Sequence, residues 1–338
     1  MPRVRALLPW VVLIAALLGV FVAKNGYYMT MVMIMMLWAI LAIGLNFTLG
    51  YAGYFHLGLG AFYGLGAYGA AILGARQHLP MAVALVAMPI AGAVVSGIIG
   101  PLLLRTRDLH FAVATLALGM IVSDVTNNWT SVTGGPIGIS GIPRPGIIGF
   151  GALAIDGRTL PGMFAITSLI LLALMTVAAF ARKSNFVLIL RGIKSDDLMT
   201  RSLGFSTTRY KVAAFAISGA IAALGGVLYA HIVQFVSPEP FTFFAASFQV
   251  FVVLAVGGLG SLWGPVLGAV LLTGLPDATD MDPHLKLIAY GVVLLAVTVL
   301  LPRGLASTAE RFTKLRARRS AASAAISPRP DSFKDART

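Results

Sequence analysis

The chain has 338 residues, 58% of them apolar and only 11% charged, with a net charge of +13 and no cysteine. Soluble domains carry about a quarter charged residues, so this composition excludes an ordinary soluble globular protein. The lack of cysteine excludes disulfides and thiolate metal sites. Apolar runs of roughly 18 residues or more recur along the whole chain, as membrane-spanning helices require. The alternating ten-residue segments of a membrane barrel are missing. The composition predicts an all-α polytopic membrane protein of about ten spans.

Arg3 and Arg5 precede LLPWVVLIAALLGVFVA. A cleaved signal peptide competes with a retained first span, but the run is long and Phe21 spoils the small-residue cleavage pattern. Residues 28–49 form a second span whose methionines suit adaptable packing better than metal binding. GYAGYFHLGLGAFYGLGAYGAAILG, residues 50–74, then carries seven glycines by Gly69. That density allows close helix contact and a broken or re-entrant helix. Further spans are expected over 81–104, 110–126, 163–181, 212–235, 243–256, 262–275 and 285–301. The last pair before 285 is short, interrupted by Gly257-Gly258-Leu259-Gly260. Residues 127–161 are too polar and too rich in Gly and Pro to span. They form an external loop with one small amphipathic or re-entrant piece. Residues 276–283 make an acidic outer loop.

This order is tested by charge. With both termini inside, the inner segments hold Arg3, Arg5, Arg105, Arg107, seven basic residues of 182–211 and nine between Arg303 and Arg337. The outer segments hold only Lys24, Arg76, Arg144, Arg158 and Lys286. Twenty against five follows the positive-inside rule. It also accounts for the net charge without nucleic acid, and such inner cations can meet anionic lipid headgroups. Residues 1–302 are thus one transmembrane domain, with 182–211 in the cytoplasm and 127–161 outside. Residues 303–338 are a basic, disordered cytoplasmic tail. The glycine-rich segments 50–69 and 257–268 echo one another and leave a duplication of halves open.

No enzyme constellation is present. The five histidines lack metal-ligand spacing, and there is no phosphate-loop signature. Polar groups within spans are few, with Asn46, His56, Thr115 and Asp124 the most prominent. With glycines Gly58, Gly60, Gly257 and Gly258, Asn46, His56 and Thr115 are the candidates for a translocation path. His56 either bonds a neighbouring carbonyl or lines that path. Asp124 near a span end suits a solvated or capping role better than ion coupling. A path without its own energy source needs an external drive. The charged stretch 182–211 is the natural handle. Within it, SDDLMTRSLG has Asp196 and Asp197 placed to open a short helix and Gly204 placed to stop it.

At these residues the chain resembles the permease subunit of branched-chain amino acid ABC importers, of the LivH/LivM family and LivM type. The matching stretches are GLNFTLGYAGYFHLGLGAFYGLGAY (44–68), HFAVATLALGMI (110–121), TGGPIGISGIP (133–143), residues 191–231, and VGGLGSLWGPVLGAVLL (256–272). The resemblance implies a bacterial inner-membrane importer with a second related permease, two ATP-binding subunits and a periplasmic substrate-binding protein. ATP and Mg would be bound by those partner subunits, with no cofactor in this chain. It places the ATPase contact on 191–204, with Arg191, Lys194, Asp196, Asp197, Leu198, Met199, Arg201, Leu203 and Gly204 as its residues. Many such permeases carry a Glu-Ala-Ala triplet ahead of the glycine, where this chain has Leu198-Met199-Thr200. The binding protein is expected on Thr133, Gly134, Gly135, Pro238 and Glu239. Replacing Asp197 or Gly204 is expected to uncouple hydrolysis from uptake with the fold intact. The family also includes permeases for urea, amides and small organic or aromatic acids. A self-sufficient carrier or channel built on Asp124 or His56 is the competing class.

Overall fold

A computed structural model describes residues 2–23, 25–105, 108–148 and 155–274, together with 291, 292 and 295. Helix α1 covers Pro2–Ala23 and α2 covers Gly26–Leu45, continuing as a wide π-helical turn over Asn46–Tyr51. Residues 52–58 are not helical. Helix α3 (Leu59–Ala71) follows, extended by a second π turn over Ile72–Arg76. Next come α4 (Met81–Leu103), α5 (Asp108–Asn128), the single turn α6 (Thr130–Thr133) and α7 (Leu160–Ala181). Helices α8 (Asn185–Ser195) and α9 (Asp197–Ser202) lead into the long α10 (Thr207–Val233). A π turn over Phe243–Phe248 enters α11 (Gln249–Gly257), and α12 (Gly264–Ala269) runs into another over Val270–Gly274.

The protein is therefore helical and polytopic. Five of the described helices are long and apolar enough to cross a membrane: α2 with its π turn, α4, α5, α7 and α10. Pro9–Val22, Phe243–Gly257 and Gly264–Gly274 are apolar but shorter. The glycine-rich stretch after residue 50 is broken, at 52–58. The acidic loop 276–283 and the tail 303–338 lie outside the described residues, as does the span over 285–301 except for Gly291, Val292 and Leu295, which are helical.

Helix α10 is the spine of the bundle, packed against α2, α3 and α4. Small residues on three sides make this possible. A Cβ on Gly92 of α4 would lie 2.6 Å from the Gly219 carbonyl oxygen of α10. One on Gly226 would run into the carbonyl of Tyr63 on α3. Such backbone proximity gives helices in hydrocarbon the dispersion contact that holds them together. Helix α2 is buried along most of its length, and Met29, Met33 and Met36 are core residues. Helix α4 instead exposes Val86, Ile90, Val94 and Ile98 at four-residue intervals, an apolar stripe suited to lipid.

The end of the bundle opposite α8 and α9 is closed by irregular chain. There β1 (Ile139–Ser140) pairs antiparallel with β4 (Phe235–Val236), with Ile139 opposite Val236. A second short pair joins β2 (Ile147–Ile148) to β3 (Ile155–Asp156). Within 127–161 the described helical pieces beyond the end of α5 are the single turn α6 and a 3-10 turn over Gly135–Ile137. The strand pairings were not anticipated, because β1 finds its partner almost a hundred residues away.

Candidate functional site

The segment after α7 is more ordered than a charged loop. Ser184 caps α8, its hydroxyl accepting from the Val187 amide. Val187, Leu190 and Ile193 are buried, so α8 lies with one apolar face on the bundle. Their spacing of three is the signal that could have revealed a second helix here. Asp196 then caps α9, its Oδ1 accepting from the Met199 amide at 2.9 Å. Gly204 ends the helix at φ +89°, a conformation that favours glycine. The helix thus starts and stops where its acidic and glycine residues direct.

Helix α9 has two faces. Leu198, Met199 and Leu203 stand 76, 65 and 69% exposed. Opposite them, Asp197 Oδ2 accepts from Lys211 Nζ at 2.9 Å and from Arg201 Nη2 at 3.0 Å. Burial alone would raise the Asp197 carboxyl. Hydrogen bonds from Lys211 and Thr207, with the charges of Lys211 and Arg201, hold it below the ordinary carboxylate value. Lys211 is only 6% exposed, so the expectation that Asp197 could be replaced without harm to the fold needs correction. Asp197→Ala leaves a buried ammonium unpaired and is expected to cost about 3 kcal/mol. Adding Lys211→Met should recover most of it, read as the thermal midpoint of the purified protein. Because the carboxyl is depressed, the stabilisation is present above the ordinary carboxylate range and is lost as pH falls through the lower, folded value. The gap between wild type and Asp197→Ala should therefore narrow as pH falls below the ordinary carboxylate range.

Three of the seven basic residues of this segment, Arg191, Lys194 and Lys211, reach the chain at the end of α2. Lys194 Nζ donates to the Gly50 carbonyl at 2.9 Å. Burial, then the neighbouring Arg191 charge, lowers the Lys194 ammonium below its ordinary value. The Arg191 guanidinium lies over the Tyr51 ring, 5.4 Å from its centre, and Lys211 Nζ lies 4.6 Å from that of Tyr54.

The seven residues expected on a path are all buried within this chain. Asn46 is a bracket between the two interruptions of the bundle. Its amide nitrogen donates to the Ser261 carbonyl at 2.9 Å, and its oxygen accepts from the Gly260 amide at 2.8 Å. Thr115 on α5 accepts from the Leu57 amide at 3.1 Å and donates to the Ala112 carbonyl. The Gly60 amide donates to Ser247 Oγ at 2.9 Å. A Cβ on Gly58 would run into the Thr115 carbonyl, and one on Gly257 into that of Gly264. Gly258 turns the chain out of α11 at φ +118°. His56 is 1% exposed, with neither ring nitrogen hydrogen-bonded among the described residues. It packs edge-on against Phe215 at 4.7 Å and Phe62 at 5.8 Å. No carbonyl of the described residues holds it. Asp124 is exposed on the last turns of α5, apart from this cluster.

At the opposite end, Thr133 is buried, its hydroxyl reaching the Thr126 and Trp129 carbonyls and accepting from the Gly135 amide. Gly134, at φ +77°, and buried Gly135 turn the loop, and Pro238 is buried beside exposed Glu239. The side chains that stand out are Trp129, Ile137 and Phe235. The loop is fixed to the end of α10 by β1–β4, by His231 Nδ1 at 3.0 Å from the Pro143 carbonyl, and by Gln234 donating to the Ile142 carbonyl. Phe241 anchors it from below, buried among Tyr63, Tyr68 and Tyr229.

A polytopic helical bundle with a braced polar loop and two linked helix breaks defines a membrane transport subunit. Residues 27–298 match the family described as branched-chain amino acid transport system / permease component, and the chain belongs to that family. It is 33% identical to the high-affinity branched-chain amino acid transport system permease protein LivM of Escherichia coli over 302 residues, covering 83% of this chain and 70% of that one. It is 28% identical over 137 residues to the permease protein LivH of the same system and organism, covering 40% of this chain and 44% of the relative. The autoinducer 2 import system permease protein LsrC of Salmonella paratyphi B is 28% identical over 243 residues, covering 68% of this chain and 64% of the relative. No solved structure matches.

Proposed function

We propose that the chain is one of two membrane subunits of an ATP-driven importer of branched-chain amino acids in the bacterial inner membrane. A related permease, two ATP-binding subunits and a periplasmic binding protein complete it, and the ATP-binding subunits hold ATP and Mg. Both termini face the cytoplasm in this reading, which the excess of Lys and Arg on the inner segments supports. The observation that carries this reading is the outward face of α9. A capped, braced helix that leaves Leu198, Met199 and Leu203 open to water is a surface awaiting a protein partner. That partner is the ATP-binding subunit, and closure of the two ATP-binding subunits displaces α9. The breaks at 46–60 and 257–261 are the parts that rearrange to switch access. On the opposite side, the platform of Trp129, Ile137 and Glu239 receives the binding protein, which sets most of the specificity. Thr133, Gly134, Gly135 and Pro238 give that platform its shape.

The test is a gentle detergent pull-down from the native membrane. Wild type should bring down ATP-binding subunits and a second permease. Leu198→Ser with Met199→Ser removes two apolar contacts worth about 1.5–3 kcal/mol each, and should lose the ATP-binding subunits while keeping the second permease. Recovery of the ATP-binding subunits with this variant unchanged would place the contact elsewhere. Recovery of wild type alone, moving solute along an ion gradient, would establish a self-sufficient carrier instead.

A further inference from the structure

Helices α8 and α10 hold the same short piece of chain, and α9 pairs with one of the side chains that do so. The last turn of a helix leaves carbonyls without helical partners, and at the end of α2 a lysine from α8 supplies the missing donor, Lys194 Nζ to Gly50 O at 2.9 Å. The ammonium also sits at the negative end of the α2 dipole. The Lys194 stem closes over the break, its Cγ only 2.8 Å from where a Cβ on Gly53 would be. Gly53 itself has φ +82°. One helical turn earlier, Arg191 covers the Tyr51 ring. From the first turns of α10, Lys211 covers Tyr54 while its ammonium pairs with Asp197 of α9. Residues 50–54 are thus gripped at a carbonyl, at a bare Cα and at two rings.

The far side of the break is hooked elsewhere. The Leu57 amide donates to Thr115 on α5, and the Gly60 amide to Ser247 in the π turn before α11. A displacement entering at 50–54 therefore leaves toward α3, α5 and α11. We propose that Lys194, supported by Arg191 and Lys211, is a positioning residue that delivers movement of α8 and α9 directly to the break between α2 and α3. Transmission then runs through side chains gripping the break, and the covalent continuations into α7 and α10 are not sufficient for it. This proposal rests on the reading of α9 as the ATPase contact.

This chain has no cysteine, so paired spin labels can be placed on it in the assembled transporter, with partner subunits freed of reactive cysteine and the complex reconstituted in lipid nanodiscs. One pair, Leu188→Cys with Leu102→Cys, reports the movement of α8 relative to the end of α4. The other, Phe55→Cys with Leu102→Cys, reports the break. All three positions are exposed. With ATP and vanadate, both distances should shift in the otherwise wild-type complex. In Lys194→Met the first should still shift and the second should not, and uptake should fall about tenfold. Lys194→Arg, which keeps a long cationic donor, should restore both the shift and uptake. A break distance that still shifts in Lys194→Met would overturn the latch. If the first pair does not move in the wild-type complex, the ATPase-contact reading of α9 fails, and the latch with it.

Discussion

Asn46→Leu is expected to abolish uptake. The substitution keeps the number and branching of the side-chain heavy atoms and removes both arms of the bracket. The Gly260 amide and the Ser261 carbonyl are then left without their partner in a buried, membrane-embedded turn. Each unpaired group costs about 1–3 kcal/mol, so the loss is about 2–6 kcal/mol concentrated on one junction. Asn46→Gln keeps an amide acceptor and an amide donor on a longer stem, so it should fall between leucine and wild type. The measurements are amino acid uptake in cells and thermal stability of the purified complex. Wild-type uptake and an unchanged midpoint in Asn46→Leu would show that the two breaks do not depend on each other.

A second substitution should remove the folded protein altogether. A Cβ on Gly226 meets the Tyr63 carbonyl and lies 2.5 Å from the Ala67 amide nitrogen, so the obstacle is backbone and cannot rotate away. Gly226→Ala already forces α3 and α10 apart, at about 3 kcal/mol, and Gly226→Leu exceeds what the bundle can absorb. Gly97, on α4, has nothing within 4 Å of the same added atom. Gly97→Leu is therefore the matched control, expected to reach the membrane at wild-type levels. Fluorescence-detected size exclusion of the two variants should show a single peak for Gly97→Leu and none for Gly226→Leu. Equal peaks would mean that the α3–α10 contact is looser than the structure has it.

The chain declares its spans because hydrocarbon demands long apolar runs, and α2, α4, α5, α7 and α10 follow those runs closely. Helix α9 is also readable, since an acidic cap and a stopping glycine act within a few residues of each other. What the cations of 182–211 do is not readable. Lys and Arg there serve as an orientation signal and as tethers with the same letters, and the tether of Lys194 ends on a carbonyl 144 positions away. Asn46 is singled out by polarity alone, yet its partners lie more than 200 positions on, at a glycine-rich turn that gives no hint of an acceptor or donor to spare. The expected docking residues illustrate a further limit. Thr133 and Pro238 mark the loop because they shape it, whereas the side chains available for contact, such as Ile137, are ordinary apolar letters. Local chemistry is visible in sequence; the far end of a hydrogen bond is not.

The π turns at 46–51, 72–76, 243–248 and 270–274 have one further consequence. Each holds one residue more than an α-helical turn of the same rise, so it is slack wound into a helix. Passing that spare residue along by one position swings a side chain through about 100° around the axis, with each amide handed from one carbonyl to the next. Two of these turns adjoin the segments 52–58 and 235–242, and each is tied across the bundle, the first by Asn46 to Gly260 and the second by Ser247 to Gly60. The bundle therefore carries its reserve of motion as rotation. A group facing one neighbouring helix can be wheeled toward another while both ends of its own helix stay in place.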